Sequence, residues 1–123
     1  ARGKAVYHAA AVMASNFPVV LAALAARLLA RSGMEEHAAE QVVQRLMAGA
    51  VANLEYGSPR EVLTGPAARG DTEAIAAHRA ALWHDPETLA VYDALTRAAA
   101  GLTSDHPAPV DDAGVGRRNE LKG

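Results

Sequence analysis

From Ala5 to Ala26 the chain carries no formally charged side chain. Within and just after this stretch, Val6, Met13, Phe17, Val20, Leu21, Leu24 and Leu28 recur mostly at spacings of three, four and seven. That is the repeat of a helix rather than of a strand. Alanines at 9, 10, 14, 22 and 25 fill much of the remaining surface. A helix that is apolar nearly all round has to be covered on several sides. The spacing predicts one long helix over residues 4–31. A bend is expected near residues 14–18, because Pro18 removes a backbone donor. The apolar stripes are too broad for a monomer of this size to cover alone, so self-association is expected.

The same stretch is long enough to cross a bilayer, which takes about 20 apolar residues. It is a poor span, however, since much of it is alanine and it holds His8, Ser15, Asn16 and Pro18. Arg27 and Arg31 end the apolar run before it can serve as a secretory signal. A chain without membrane association in the cytoplasm is the expectation.

Composition supports an all-α fold. Thirty of the 123 residues are alanine and only 4% are aromatic. Alanine is the best helix former, and the residues that sheets favour are scarce. The length suits one domain. A net charge of −2 and a pI near 6.2 leave no electrostatic footprint for nucleic acid. The lack of cysteine excludes disulfides, a thiol nucleophile and cysteine-bound zinc. The chain starts at Ala1 and reads as a piece of something longer.

Local signals divide the rest. Ser32 and Glu35 fit a capping box for a helix from Met34 to Glu55, with Val42, Val43, Leu46, Ala50 and Leu54 as its buried stripe. Ser58, Pro59 and Glu61 open a short helix ending near Leu63. Residues 64–70 read as a loop. Asp71 caps a helix to Trp83, with Ile75, Leu82 and His78 inward and Trp83 as a packing anchor. Asp85 and Pro86 start a last helix, with Leu89, Tyr92, Leu95 and Ala99 as its stripe. From Gly101 the pattern fails, so residues 1–100 form the expected helical domain and 101–123 a solvated tail.

Two constellations could carry chemistry. Lys4, His8, Ala11 and Ser15 are spaced by four, three and four and share one helix face, with Asn16 at its edge. A polar stripe on an apolar helix must meet water, a ligand or polar partners. Satisfied helix–helix hydrogen bonds would explain it. So would one wall of a substrate pocket. In the second case Lys4 binds an anion or polarises a carbonyl, and His8 moves a proton near neutral pH. Ser15 and Asn16 then orient the ligand. The second constellation is Leu63-Thr64-Gly65-Pro66-Ala67-Ala68-Arg69-Gly70-Asp71. Glycines let a backbone approach a ligand, Asp71 opens a helix, and Arg69 offers a planar fork to a carboxylate or phosphate. Neither phosphate-binding glycine motif is present. His37, His78, His84 and His106 show no metal-ligand spacing, so no metal is expected.

Tyr7-His8-Ala9-Ala10-Ala11-Val12-Met13-Ala14-Ser15-Asn16, followed by Leu63-Thr64-Gly65-Pro66 with Arg69-Gly70-Asp71 and His78, resembles the helical C-terminal domain, DUF2520, of a bacterial family. That family pairs this domain with an N-terminal Rossmann-like domain. The resemblance covers roughly residues 4–100. It implies an all-α bundle similar to the C-terminal domains of 6-phosphogluconate dehydrogenase, ketopantoate reductase and pyrroline-5-carboxylate reductase relatives. In that wider group the helical domain dimerises and closes the cleft where substrate meets NAD(P). The resemblance therefore implies a homodimer, a Rossmann-like domain of the same parent as partner, NADP or NAD in the full-length parent, and a small oxoacid or hydroxyacid substrate. This chain alone should bind no dinucleotide.

Relatives place a Lys, then an Asn four residues later, early in the first long helix; here Lys4 has His8 at that offset. On this reading Lys4 and His8 are the catalytic candidates. Ser15, Asn16, Thr64, Arg69, Asp71 and His78 are the substrate-binding candidates. The family's recurring residues match these except Lys4, and include Gly65 and Pro66. The replacement of Asn by His8 also supports an alternative, a non-catalytic helical dimerisation, scaffold or regulatory module.

Overall fold

A computed structural model describes residues 2–104 of the chain. Every regular element among them is helical, so the domain is all-α as expected. The elements are α1 (Arg2–Ala11), a π-helical turn (Val12–Asn16), α2 (Phe17–Arg31), α3 (Glu36–Asn53), α4 (Pro59–Val62), α5 (Pro66–Arg69), α6 (Thr72–Leu82) and α7 (Pro86–Thr103). The last helix passes Gly101, where the sequence pattern stops, and ends at Thr103. The expected tail from residue 105 onward, His106 included, lies outside the described residues. The chain divides into two compact units, Ala1–Tyr56 and Gly57–Gly123.

In the first unit, α1, the π turn and α2 run as one continuous helix, Arg2–Arg31. The anticipated bend site is a widened turn, in which the Phe17 N–H donates to the Val12 carbonyl five residues back. Pro18 is the physical reason. Its ring clashes with the carbonyl four residues back and has no N–H to give, so the preceding turn loosens. The Ser15 hydroxyl donates to the Ala11 carbonyl at 2.6 Å and ties the loosened turn to the one before it.

The α2–α3 connection differs from the sequence expectation. Ser32 closes α2 instead of opening α3: its hydroxyl donates to the Leu29 carbonyl at 2.7 Å. Gly33 follows at φ 116°, a left-handed conformation that glycine tolerates. Glu35 is the cap, and its carboxylate accepts from the His37 and Ala38 N–H groups at 3.0 Å each. Ser32 and Glu35 have the right spacing for a capping box, but Gly33 turns the chain between them. α3 packs on α2 and buries Ala39 and Val43.

The predicted α3 stripe is only partly covered. Val42, Leu46 and Leu54 are exposed while Ala39 one turn earlier is fully enclosed. The long first helix is likewise uncovered. Val6, Tyr7, Met13, Phe17, Val19 and Val20 are all more than half exposed. Periodicity locates a face; it does not say whether this chain covers it.

In the second unit the caps behave as the sequence indicates. Ser58 and Glu61 form a complete capping box at the start of α4, with Pro59 in the first turn. Asp71 caps α6 by accepting from the Ala74 N–H at 3.1 Å. Asp85 caps α7, accepting from the Thr88 N–H at 3.2 Å and the Thr88 hydroxyl at 2.8 Å. Residues 64–70, expected as a loop, contain the helical turn α5. Pro66 pre-sets its first residue, and Gly65 at φ 103° and Gly70 at φ 72° bracket it in conformations other residues resist. α5 packs on α6 and α7, which also pack together. Leu82 is buried. Trp83 is no anchor, being 74% exposed, and Leu95 is 49% exposed.

Asp85 and Thr88 are the buried polar pair of this unit. Asp85→Ala removes both cap bonds from the start of α7. It should cost about 2 kcal/mol, read as a lower urea midpoint.

Two exposed caps give a pH signature. Accepting the His37 N–H and then the Ala38 N–H holds the Glu35 carboxyl below its ordinary range. The Ser58 N–H, then the Ser58 hydroxyl, does the same for Glu61. Both groups ionise more readily folded than unfolded. Their stabilisation is therefore complete above the unfolded carboxylate range and disappears as pH falls through the depressed folded values. Circular dichroism on acid titration should show helix lost below the ordinary carboxylate range. Glu35→Gln and Glu61→Gln should reduce that loss.

Candidate functional site

The polar stripe of the first helix has the register its spacing demands. Lys4 and His8 lie on α1, Ala11 ends α1, and Ser15 and Asn16 lie in the π turn. All five are exposed. No member of the stripe is buried within this chain. His8 has the Tyr7 ring beside it, centroid to centroid 5.9 Å. The Ser15 hydroxyl also lies 3.3 Å from the Asn16 Oδ1. Ser15 and Asn16 both lie in the π turn, a widening frequent at functional sites. An exposed ammonium, an imidazole and an amide beside a widened turn can bind a carboxylate, exchange a proton and orient a polar ligand.

The second unit holds the remaining candidates, and it does not gather them into one cluster. Thr64 is exposed just before Gly65. Arg69, at the end of α5, pairs with Asp71 at 3.6 Å, both side chains well exposed. That pair, Gly70 and the Asp71 cap together shape the α5–α6 connection. His78 is about two turns further along α6 and engages α7 instead. Its Nδ1 lies 2.8 Å from the Tyr92 hydroxyl, and the two rings meet edge-on at 5.8 Å.

Beside that contact is a pair the sequence did not reveal. Arg79 donates from Nε and Nη2 to the two carboxylate oxygens of Asp93 at 2.8 and 3.0 Å. The Arg79 hydrogen bond outweighs desolvation and, helped by the charges of Arg79 and Arg97, holds the Asp93 carboxyl below its ordinary range. Neighbours on α6 thus clasp neighbours on α7. Their spacing along the chain carries no helix or strand period, so pattern reading could not find them. By spacing Tyr92 belongs to the apolar stripe of α7, and its hydroxyl has this second role.

A groove of about 610 Å³ lies between α2 and α3. Ala22, Ala26, Ala30 and buried Val43 line it, together with exposed Arg27, Glu36, Glu40 and Gln44. Among the described residues no group of three or more metal-binding side chains is placed to hold an ion. The described residues contain no strand. By length and composition the Arg2–Arg31 helix meets the test for a membrane span, as one apolar helix near the N-terminus.

A family model described as a domain of unknown function, DUF2520, matches residues 1–99. No curated protein and no solved structure matches the chain.

Proposed function

We propose, from the premise that this chain belongs to the DUF2520 family, that it is the substrate-binding and dimerisation domain of an NAD(P)-dependent oxidoreductase. The observation that carries the reading is the Lys4–His8–Ser15 stripe on an uncovered helix. An exposed polar stripe flanked by exposed Val6, Tyr7, Met13 and Phe17 suits a surface completed by other polypeptide.

The nucleotide, NADP or NAD, belongs in this proposal to an N-terminal Rossmann-like domain of the same parent. This chain's own residues act on the substrate. Lys4 holds the carboxylate or polarises the carbonyl of a small oxoacid or hydroxyacid. His8 gives or takes the proton at the reacting oxygen. Ser15 and Asn16 orient the molecule by hydrogen bonds. Thr64, Arg69, Asp71 and His78 are proposed as substrate contacts from their own unit. Ketopantoate is the analogue suggested by the resemblance of the sequence to ketopantoate reductase relatives, an analogy of architecture rather than of site. A homodimer in the cytoplasm, without nucleic acid or membrane, completes the proposal.

The test joins this domain to its native N-terminal partner and follows NADPH oxidation with a panel of small oxoacids. Turnover supports the reading. Firmly bound nucleotide without turnover overturns it and favours a helical scaffold or regulatory module.

A further inference from the structure

The second unit contains an imidazole held at one nitrogen and open at the other. His78 on α6 is exposed, and its Nδ1 lies 2.8 Å from the hydroxyl of half-buried Tyr92 on α7. The rings meet edge-on at 5.8 Å. Nε2 lies across the ring from Nδ1 and has no hydrogen-bond partner among the described residues. One residue further along both helices, Arg79 grips both carboxylate oxygens of Asp93 at 2.8 and 3.0 Å. Adjacent residues on a helix differ by about 100° in bearing. The two contacts therefore hold α6 and α7 at two bearings, and neither helix can roll about its axis without straining one of them. A bidentate guanidinium–carboxylate pair is the more geometrically demanding of the two. It sets the register in which the tyrosine hydroxyl meets the imidazole.

Proton accounting gives the direction of the His78–Tyr92 bond. A phenol has one proton to donate, and among the described residues this hydroxyl meets no acceptor other than Nδ1. A ring proton on Nδ1 would make the half-buried hydroxyl an acceptor and leave its own proton with no acceptor in the unit, which costs stability. With the hydroxyl donating, Nδ1 is the bare nitrogen of the neutral ring and Nε2 carries the proton. The open side of the ring is then a hydrogen-bond donor, and the ligand atom it fits is an oxygen.

We propose that Tyr92 is a positioning residue for His78: its hydroxyl donates to Nδ1, fixes the imidazole as the Nε2–H tautomer, and turns that N–H toward an oxygen of a substrate carboxylate or carbonyl. Arg79 and Asp93 act one step behind, by keeping α6 and α7 in register. The assignment rests on the reading of His78 as a substrate contact.

The test has two arms. The first is NMR of the His78 ring nitrogens in the 123-residue chain, with the ring neutral. Nδ1 should be bare and Nε2 protonated. Tyr92→Phe keeps the aromatic ring and removes only the hydroxyl, so it should move the Nδ1 resonance and mix the tautomers. A protonated Nδ1 in the wild type, or an unchanged His78 ring in Tyr92→Phe, overturns the proposal. The second arm uses the domain joined to its native N-terminal partner, with NADPH and small oxoacids. Tyr92→Phe should raise KM by about two- to tenfold at unchanged kcat, the contribution of one hydrogen bond. On a His78→Ala background the same change should do nothing, because Tyr92 acts through the imidazole. An equal rise on both backgrounds marks a purely structural hydroxyl and also overturns the proposal. If the joined protein binds nucleotide and turns nothing over, the oxidoreductase reading falls, and the first arm still decides whether Tyr92 fixes the ring.

Discussion

The Ala39→Asp variant is expected to lose the packing of α2 on α3, at a cost of about 3–5 kcal/mol. Ala39 is fully enclosed, with 0% of its surface exposed, on the helix that packs against α2. A carboxylate there would be stripped of water without a charge partner, a more severe change than the loss of a few methyl contacts. The unit has little to set against it. Ala39 and Val43 are the buried apolar residues among the described residues of Ala1–Tyr56, and a whole domain is commonly stable by only about 5–15 kcal/mol. Urea denaturation followed by circular dichroism should show the midpoint collapse. The control is Ala48→Asp on the same helix, where the side chain is exposed. That change should stay within about 0.5 kcal/mol, since it meets none of the mechanisms that make substitutions severe.

A second large effect follows from the proposed two-domain oxidoreductase. His8→Ala should lower kcat by about 100-fold or more, the usual range for removing a positioned acid or base. Lys4→Ala should act mainly on KM, because a residue that grips the substrate's anionic end binds ground state and transition state alike. The split between the two parameters separates the proposed roles. A merely structural contribution would move stability and leave the ratio of kcat effects equal at both positions. Circular dichroism of both variants should be unchanged, since both side chains are exposed on a helix that no buried contact of theirs supports.

Much of the local structure is legible because its causes are local. Ser58 with Glu61, Asp71 and Asp85 each cap the helix that follows through bonds spanning three residues. Pro59, Pro66 and Pro86 each fall in the first helical turn, where a missing N–H costs nothing. Two departures from the local pattern share one origin. Ser32 and the loop at residues 64–70 both involve glycines at positive φ, at Gly33, Gly65 and Gly70, and a sequence pattern does not show which way such residues turn the chain.

Burial was the harder matter. Phe17 at 51% exposed and Trp83 at 74% exposed sit where periodicity anticipates contact. Apolar spacing reports a face that needs cover, and the cover can come from outside the chain. Of the candidate site, the register of Lys4, His8 and Ser15 was readable, because residues three and four apart on a helix are neighbours by geometry. The His78–Tyr92 and Arg79–Asp93 contacts were not, because they depend on how α6 and α7 meet.

The widened turn at Val12–Asn16 works as a phase shifter. A surplus residue in one turn re-indexes the azimuth of everything beyond it, and a single residue is worth about 100° of rotation. The compass bearing of Lys4 and His8 relative to the alanines of α2 is therefore set by this one register slip, not by side-chain choice along the rod. A helix of the same length without it would aim the same residues at a different neighbour.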